Sequence, residues 1–299
     1  MNIIEFGNII KEEVKNRLGE GYTVDYTQVT KNNGVMYHAL LIRKTDSNIA
    51  PTIYIDGFYN EYSNGSAICT VVDEVMEVYR NCLPPDDMDV DFFFDFSTVS
   101  KRLTFKVVNK KRNENLLMDI PYREFEDLAF VPLCLVSCER IGDGCITIKK
   151  EHLNKWEISE EELWENVYEN AAKLTPIDCQ SILETLSKGF MKGDDPGLYG
   201  ELSSIFVVSN KQNSLGASAV FYPGVLDELS AKLGGDLVIL PSSVHETIVM
   251  AAPSDKNALA RLTWMVKEVN RSVVSNTEIL SDNAYFYEAE TKKISVITE

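Results

Sequence analysis

Apolar residues recur every three to four positions over 3–18, where Phe6, Ile10, Val14 and Leu18 share one stripe and Gly19 follows as a stop. That spacing predicts an amphipathic helix. The pattern then switches to alternation. Tyr22, Val24 and Tyr26 are separated by polar residues, and Lys31-Asn32-Asn33-Gly34 supplies the positive φ of a tight hairpin before a second extended run. A short strand is expected over 51–55. A helix over about 66–82 would turn Ile68, Val71, Val72, Val75, Tyr79 and Cys82 inward, and Pro84-Pro85-Asp86-Asp87 breaks it.

Past the break, 89–96 alternates poorly and reads as an acidic loop entering a short edge strand. Residues 102–108 look extended, 110–119 helical, and 127–137 a long buried strand that Gly142-Asp143-Gly144 turns back onto 145–149. Ser159 and Glu162 stand at capping-box spacing before a helix over about 160–174, which Pro176 ends. A further helix carries Ile182, Leu183, Leu186 and Phe190. Gly189, Gly193, Pro196, Gly197 and Gly200 make 188–200 linker-like and divide the chain into 1–195 and 196–299.

The second part reads as ββαββαββ. Strands near 203–209 and 216–222 precede a helix begun at Pro223, strands near 236–241 and 246–252 precede a helix capped by Ser254, and strands near 284–288 and 293–297 close the chain. The expected fold class is α+β, a largely antiparallel sheet with helices packed on one face.

Composition narrows the partners more than the fold. The 299 residues are 44% hydrophobic, enough for a sizeable core. The net charge of −17 opposes direct binding to DNA, RNA or an anionic membrane, and Lys110-Lys111-Arg112 is too short to track phosphates. No apolar run approaches the roughly 20 residues of a membrane span, and residues 1–5 lack the basic start of a signal peptide. Six cysteines without a disulfide-like spacing complete the expectation of a cytoplasmic protein with reduced thiols.

Candidate chemistry gathers at Pro241-Ser242-Ser243-Val244-His245-Glu246. A nucleophilic serine needs a base in line and a group orienting that base, which would make Ser242 or Ser243, His245 and a distant carboxylate such as Asp227 a hydrolytic set. The competing reading is a capped turn, with Ser243 and Glu246 at capping-box spacing. No G-x-S-x-G elbow is present, and His245-Glu246 fails as a zincin start because position 249 is valine. Cys134, Cys138, Cys145 and His152 do not suit zinc, since two cysteines four apart on a strand lie about 13 Å from each other. Asp87-Met88-Asp89-Val90-Asp91 lacks the glycine and glutamate of a calcium loop, and no glycine pattern matches a phosphate cradle. His38 reads as a packed or edge histidine, and Phe92-Phe93-Phe94 with Phe96 as core residues. No cofactor and no metal are expected.

The runs PTIYIDGFYNEYSNG (51–65), FYPGVLDELSAKLGGDLVILPSSVHE (221–246) and VNRSVVSNTEILSDNAYFYEAET (269–291) resemble a family of uncharacterised bacterial proteins, a domain of unknown function from anaerobic gut bacteria. The resemblance spans nearly the whole chain and implies a setting in mobile genetic elements. It implies no activity and no site residue. Two functions stand open: a non-enzymatic accessory protein with a protein partner, or a hydrolase built on Ser242 or Ser243 with His245.

Overall fold

A computed structural model describes residues 1–45, 47, 50–82, 91–138, 142–187 and 203–298. Two compact units result: Met1–Phe92 with Val136–Gly144, and Phe93–Leu135 with Cys145–Glu299. The expected division at 195/196 falls inside the second unit, and the linker-like stretch 188–200 lies outside the described residues.

In the first unit the helix Ile3–Leu18 starts with a reciprocal capping box, in which Glu5 N donates to Asn2 Oδ1 at 2.9 Å and Asn2 N to Glu5 Oε2 at 3.0 Å. It covers a three-stranded antiparallel sheet in the order β1 (Tyr22–Thr30), β2 (Met36–Lys44), β3 (Thr52–Tyr54). Asn33 and Gly34 take the positive φ that the turn between β1 and β2 demands. Helices Asp56–Ser63 and Ile68–Asn81 complete the unit, whose core joins Phe6, Ile10 and Val14 to Leu40, Val71 and Val75.

The second unit holds β4 (Leu103–Asn109), β5 (Arg123–Phe125), most of β6 (Leu128–Cys138) and part of β7 (Gly142–Thr147), with β6 between β4 and β5 and also paired to β7. Gly142–Gly144 therefore lie in a strand and not in the expected turn. Expectation also differs at 91–99, where a 3-10 turn Asp91–Phe94 and a short helix Phe96–Val99 replace the edge strand. The cause is Asp95, which accepts from Ser97 N at 3.0 Å and so caps a helix start.

Six antiparallel strands form the largest sheet, in the order β13 (Lys293–Val296), β12 (Tyr285–Glu288), β10 (Leu237–Pro241), β11 (Thr247–Ala251), β9 (Ile205–Asn210) and β8 (Ile177–Ser181). The α+β class with antiparallel sheets holds. Strand β8 was not anticipated, and its presence explains a second departure. Both edges of β9 are taken, by β8 and β11, so 216–222 cannot add a strand beside it. That segment instead winds into a 3-10 helix, Gly216–Phe221.

The helices Lys256–Ser272 and Val225–Leu233 lie on opposite faces of this sheet. Val238, Leu240, Ile248 and Met250 meet Val266 of the helix Lys256–Ser272. On the opposite face Lys232, from the helix Val225–Leu233, sits 4.2 Å over the Phe206 ring. The cap of Lys256–Ser272 is Asp255, not Ser254, because the Asp255 carboxylate accepts from Asn257 N at 3.0 Å. Thr263 is buried on the inner side of this helix, and its hydroxyl has no partner among the described residues. Thr263→Val is expected to stabilise the protein by about 1 kcal/mol, since it removes an orphaned polar group at nearly constant shape. A fall in the urea midpoint would contradict this.

Candidate functional site

The serine–histidine segment is the corner joining β10 to β11. Ser243 N donates to Glu246 O at 3.1 Å and closes the turn, while Ser243 Oγ accepts from His245 N at 3.0 Å. Ser242 Oγ donates to Glu246 Oε1 at 3.2 Å. His245 Nδ1 accepts from the backbone N–H of Leu215 at 3.1 Å, and Nε2 lies 3.8 Å from Glu278 Oε1. Among the described residues neither serine hydroxyl hydrogen-bonds a ring nitrogen. The fold thus brings Ser242 to Glu246 and His245 to Glu278.

A second strand of support comes from the preceding loop. Ser209 Oγ donates to His245 O at 2.8 Å, and Ala217 N to Val244 O at 3.3 Å. Gly216 passes so close that a Cβ there would lie 2.6 Å from both Asn210 N and His245 O. Asp227, the distant carboxylate of the hydrolytic set, is bonded to Lys292 Nζ at 2.8 Å and to the Tyr287 hydroxyl. Those two bonds, Lys292 first, hold its carboxyl below the usual range, and burial followed by the hydrogen bond to Asp227 raises Tyr287 to about 12.

The other candidates have plain partners. Cys134 is buried on β6, and burial pushes its thiol up to about 11, away from the thiolate a nucleophile or metal ligand needs. His152 Nδ1 accepts from Lys149 N at 3.1 Å, and its ring meets Phe93 edge-on. Among the described residues no three His, Cys, Asp or Glu side chains could hold a metal ion together. His38 sits on β2, its Nδ1 bonded to the Tyr26 hydroxyl. The aromatic run is divided: Phe93 and Phe96 pack on Trp156, while Phe94 is 71% exposed.

The outward face of Lys256–Ser272 is a different kind of feature. Its inner side is accounted for by Thr263, Val266 and Asn270, all buried. Its outer side should be polar. Instead Trp264 is 65% exposed, Met265 and Val269 are exposed one turn apart, and Val273 at the C-cap is 79% exposed. Sequence reasoning missed this face. The signal was available, because Leu259, Leu262, Trp264, Met265, Val266 and Val269 are too many and too spread for one inward stripe. Beside its C-terminal end lies a groove of about 900 Å3, lined among others by Arg112, Lys267, Arg271, Val273 and Asp282.

The profile of a family of unknown function, DUF5688, matches residues 3–289. The chain belongs to that family. A glutamate racemase from Clostridium novyi (strain NT) is 27% identical over 116 residues, which is 38% of this chain and 44% of the racemase. The match therefore spans less than half the length of either protein. No solved structure matches the chain. Among the described residues no helix is long and apolar enough to cross a membrane.

Proposed function

We propose that this member of DUF5688 is a non-enzymatic binding or accessory protein, and that it engages a protein partner through the outward face of Lys256–Ser272. One observation carries the proposal. Trp264, Met265, Val269 and Val273 are large apolar residues left exposed on, and just past, a helix whose inner side is already buried. Exposed large apolar residues concentrated on one element mark interaction sites, and tryptophan is among the residues that dominate binding energy. The bacterial cytoplasm, and the service of a mobile genetic element that the family resemblance implies, belong to the same proposal. Sparse cysteines, free wherever their side chains are described, support the first.

Replacing Trp264 with a photo-crosslinking amino acid tests this in the source bacterium. A discrete adduct should form from position 264 and not from exposed Glu169. Equal, diffuse crosslinking from both positions would count against the proposal.

Within this reading Ser242, Ser243, His245 and Glu246 form a structural corner and not a catalytic set. Its support is the direction of the hydrogen bonds, which spend Ser243 Oγ on the backbone and His245 Nδ1 on Leu215. Ser243→Ala is expected to cost about 1 kcal/mol, the usual value of a side-chain cap on a backbone N–H. A panel of fluorophosphonate and ester probes should leave the protein unlabelled. Labelling of Ser242 or Ser243 that disappears with His245→Ala would establish the hydrolase instead.

A further inference from the structure

Four acidic side chains come together between the helices Asp56–Ser63 and Ile68–Asn81: Glu61 on the first, and Asp73, Glu74 and Glu77 on the second. Glu74 is half-buried, and its Oε2 is sealed from solvent with no donor among the described residues. Its contact is instead with a second carboxyl, that of Glu61, to which it is hydrogen-bonded. An ionised carboxylate only accepts, so this bond requires a proton on one of the two. Asp73 is taken by Arg17 of the helix Ile3–Leu18. The charges that bear on Glu74 are all acidic, Glu61 ahead of Glu77 and Asp73. A charged Glu74 would have neither a donor nor a counter-ion among these groups.

The helix Asp56–Ser63 has few other ties. Eight residues are too few to hold a helix in isolation, and none of them is fully buried. Its Tyr59 and Tyr62 rings lie 5.4 and 5.3 Å from that of Phe6, which is wholly buried. The Tyr59 hydroxyl donates to Met1 O at 3.0 Å.

We propose that Glu61 and Glu74 form a proton-sharing clip, whose state sets how tightly the helix Asp56–Ser63 is held over Phe6. With one proton between them, the carboxyls bond and bridge the two helices. When that proton passes to water, two anions face each other beside Asp73 and Glu77, and the bond becomes a repulsion. The bond to Glu61 first, then burial, then the neighbouring charges raise Glu74 above the ordinary glutamate range. An unfolded glutamate titrates near about 4.3. The clip therefore contributes fully below that pH, and its contribution is lost as the pH rises through the folded value. The device is independent of the docking role of Lys256–Ser272, which belongs to the other unit.

The test follows the glutamate carboxyl carbons of the full chain by nuclear magnetic resonance as the pH is raised. Amide protection factors over residues 56–63 are measured alongside, referenced to the unstructured chain at each pH. Glu74 should titrate above the exposed Glu290, and Glu61→Gln should bring it back toward Glu290. Protection over 56–63 should fall as Glu74 ionises. That fall should be absent in Glu74→Gln, whose amide can still donate to Glu61. Glu61 is exposed, so Glu61→Gln keeps the test open if Glu74→Gln does not fold, and there the fall should shrink. Glu74 titrating together with Glu290 would overturn the proposal. So would protection that does not change with pH in the parent, or a fall that the folded variants retain in full.

Discussion

Gly216→Ala is expected to destabilise the protein by about 3 kcal/mol, the upper part of the range for overpacking, although a single methyl is added. The new Cβ would lie 2.6 Å from Asn210 N and from His245 O, and would also strike the Ser209 hydroxyl. Two of the three obstacles are backbone, so no rotamer change relieves them. Asn210 ends β9, and His245 stands in the turn that leads into β11, which β9 pairs with along its length. The strain would therefore spread to the centre of the largest sheet. The Ser209–His245 bond and the contact of Ala217 N with Val244 O are expected to break with it. Urea denaturation measures the loss. A variant within 1 kcal/mol of the parent would show that the loop can retreat, and that the 242–246 corner does not depend on it.

The second large effect is expected at Asp127. Its carboxylate accepts from Ser281 Oγ at 2.7 Å and from Tyr285 Oη at 2.7 Å. Ser281 is wholly buried and Tyr285 is 1% exposed. Asp127→Ala would leave two buried hydroxyls without their acceptor, at about 1–3 kcal/mol for each orphan, and a total near 3 kcal/mol is expected. The consequences extend beyond one pair. Ser281 Oγ also accepts from Asn283 N at 2.9 Å, and Asn270 Nδ2 donates to Ser281 O at 2.8 Å, so the node ties the helix Lys256–Ser272 to the start of β12.

The same node sets a pH dependence. Burial first, and then the Asp127 charge, hold the Tyr285 phenol well above the ordinary tyrosine range. An unfolded tyrosine ionises near about 10, whereas the folded one stays neutral. The contribution of Tyr285 is therefore complete below about pH 10 and is lost as the pH rises beyond it. Tyr285→Phe should flatten that alkaline fall, measured as denaturant midpoint against pH. An unchanged slope would remove Tyr285 from the account.

What could be read from the sequence was what is decided locally. Ile3–Leu18 follows from a stripe of four residues and a glycine stop, and the turn between β1 and β2 from Asn33-Gly34. The segment 216–222 looked like a strand because its residues are apolar. Its fate was settled by β8, whose sequence Ile-Asp-Cys-Gln-Ser carries too little alternation to announce itself, yet it takes the free edge of β9. The candidate serines and His245 could be named from spacing alone. Their roles could not, because Leu215, which donates to the imidazole, is 30 positions away. The exposed face was overlooked for the opposite reason: an apolar helix residue is assigned to the core by default, and only the packed sheet shows that Val266 has filled that place while Trp264 has not.

Trp264 also offers the most direct measurement of the central claim. The chain has three tryptophans. Trp156 Nε1 donates to Phe93 O at 2.9 Å and Trp164 Nε1 to Pro121 O at 2.8 Å, so both indoles report on internal packing. Trp264 faces solvent. In a nitrogen–proton correlation spectrum of protein labelled at its indoles, extract from the source organism should broaden or shift the Trp264 resonance and leave the other two in place. A Trp264 resonance that stays sharp and unmoved in the extract, or a response shared equally by all three indoles, would contradict the account.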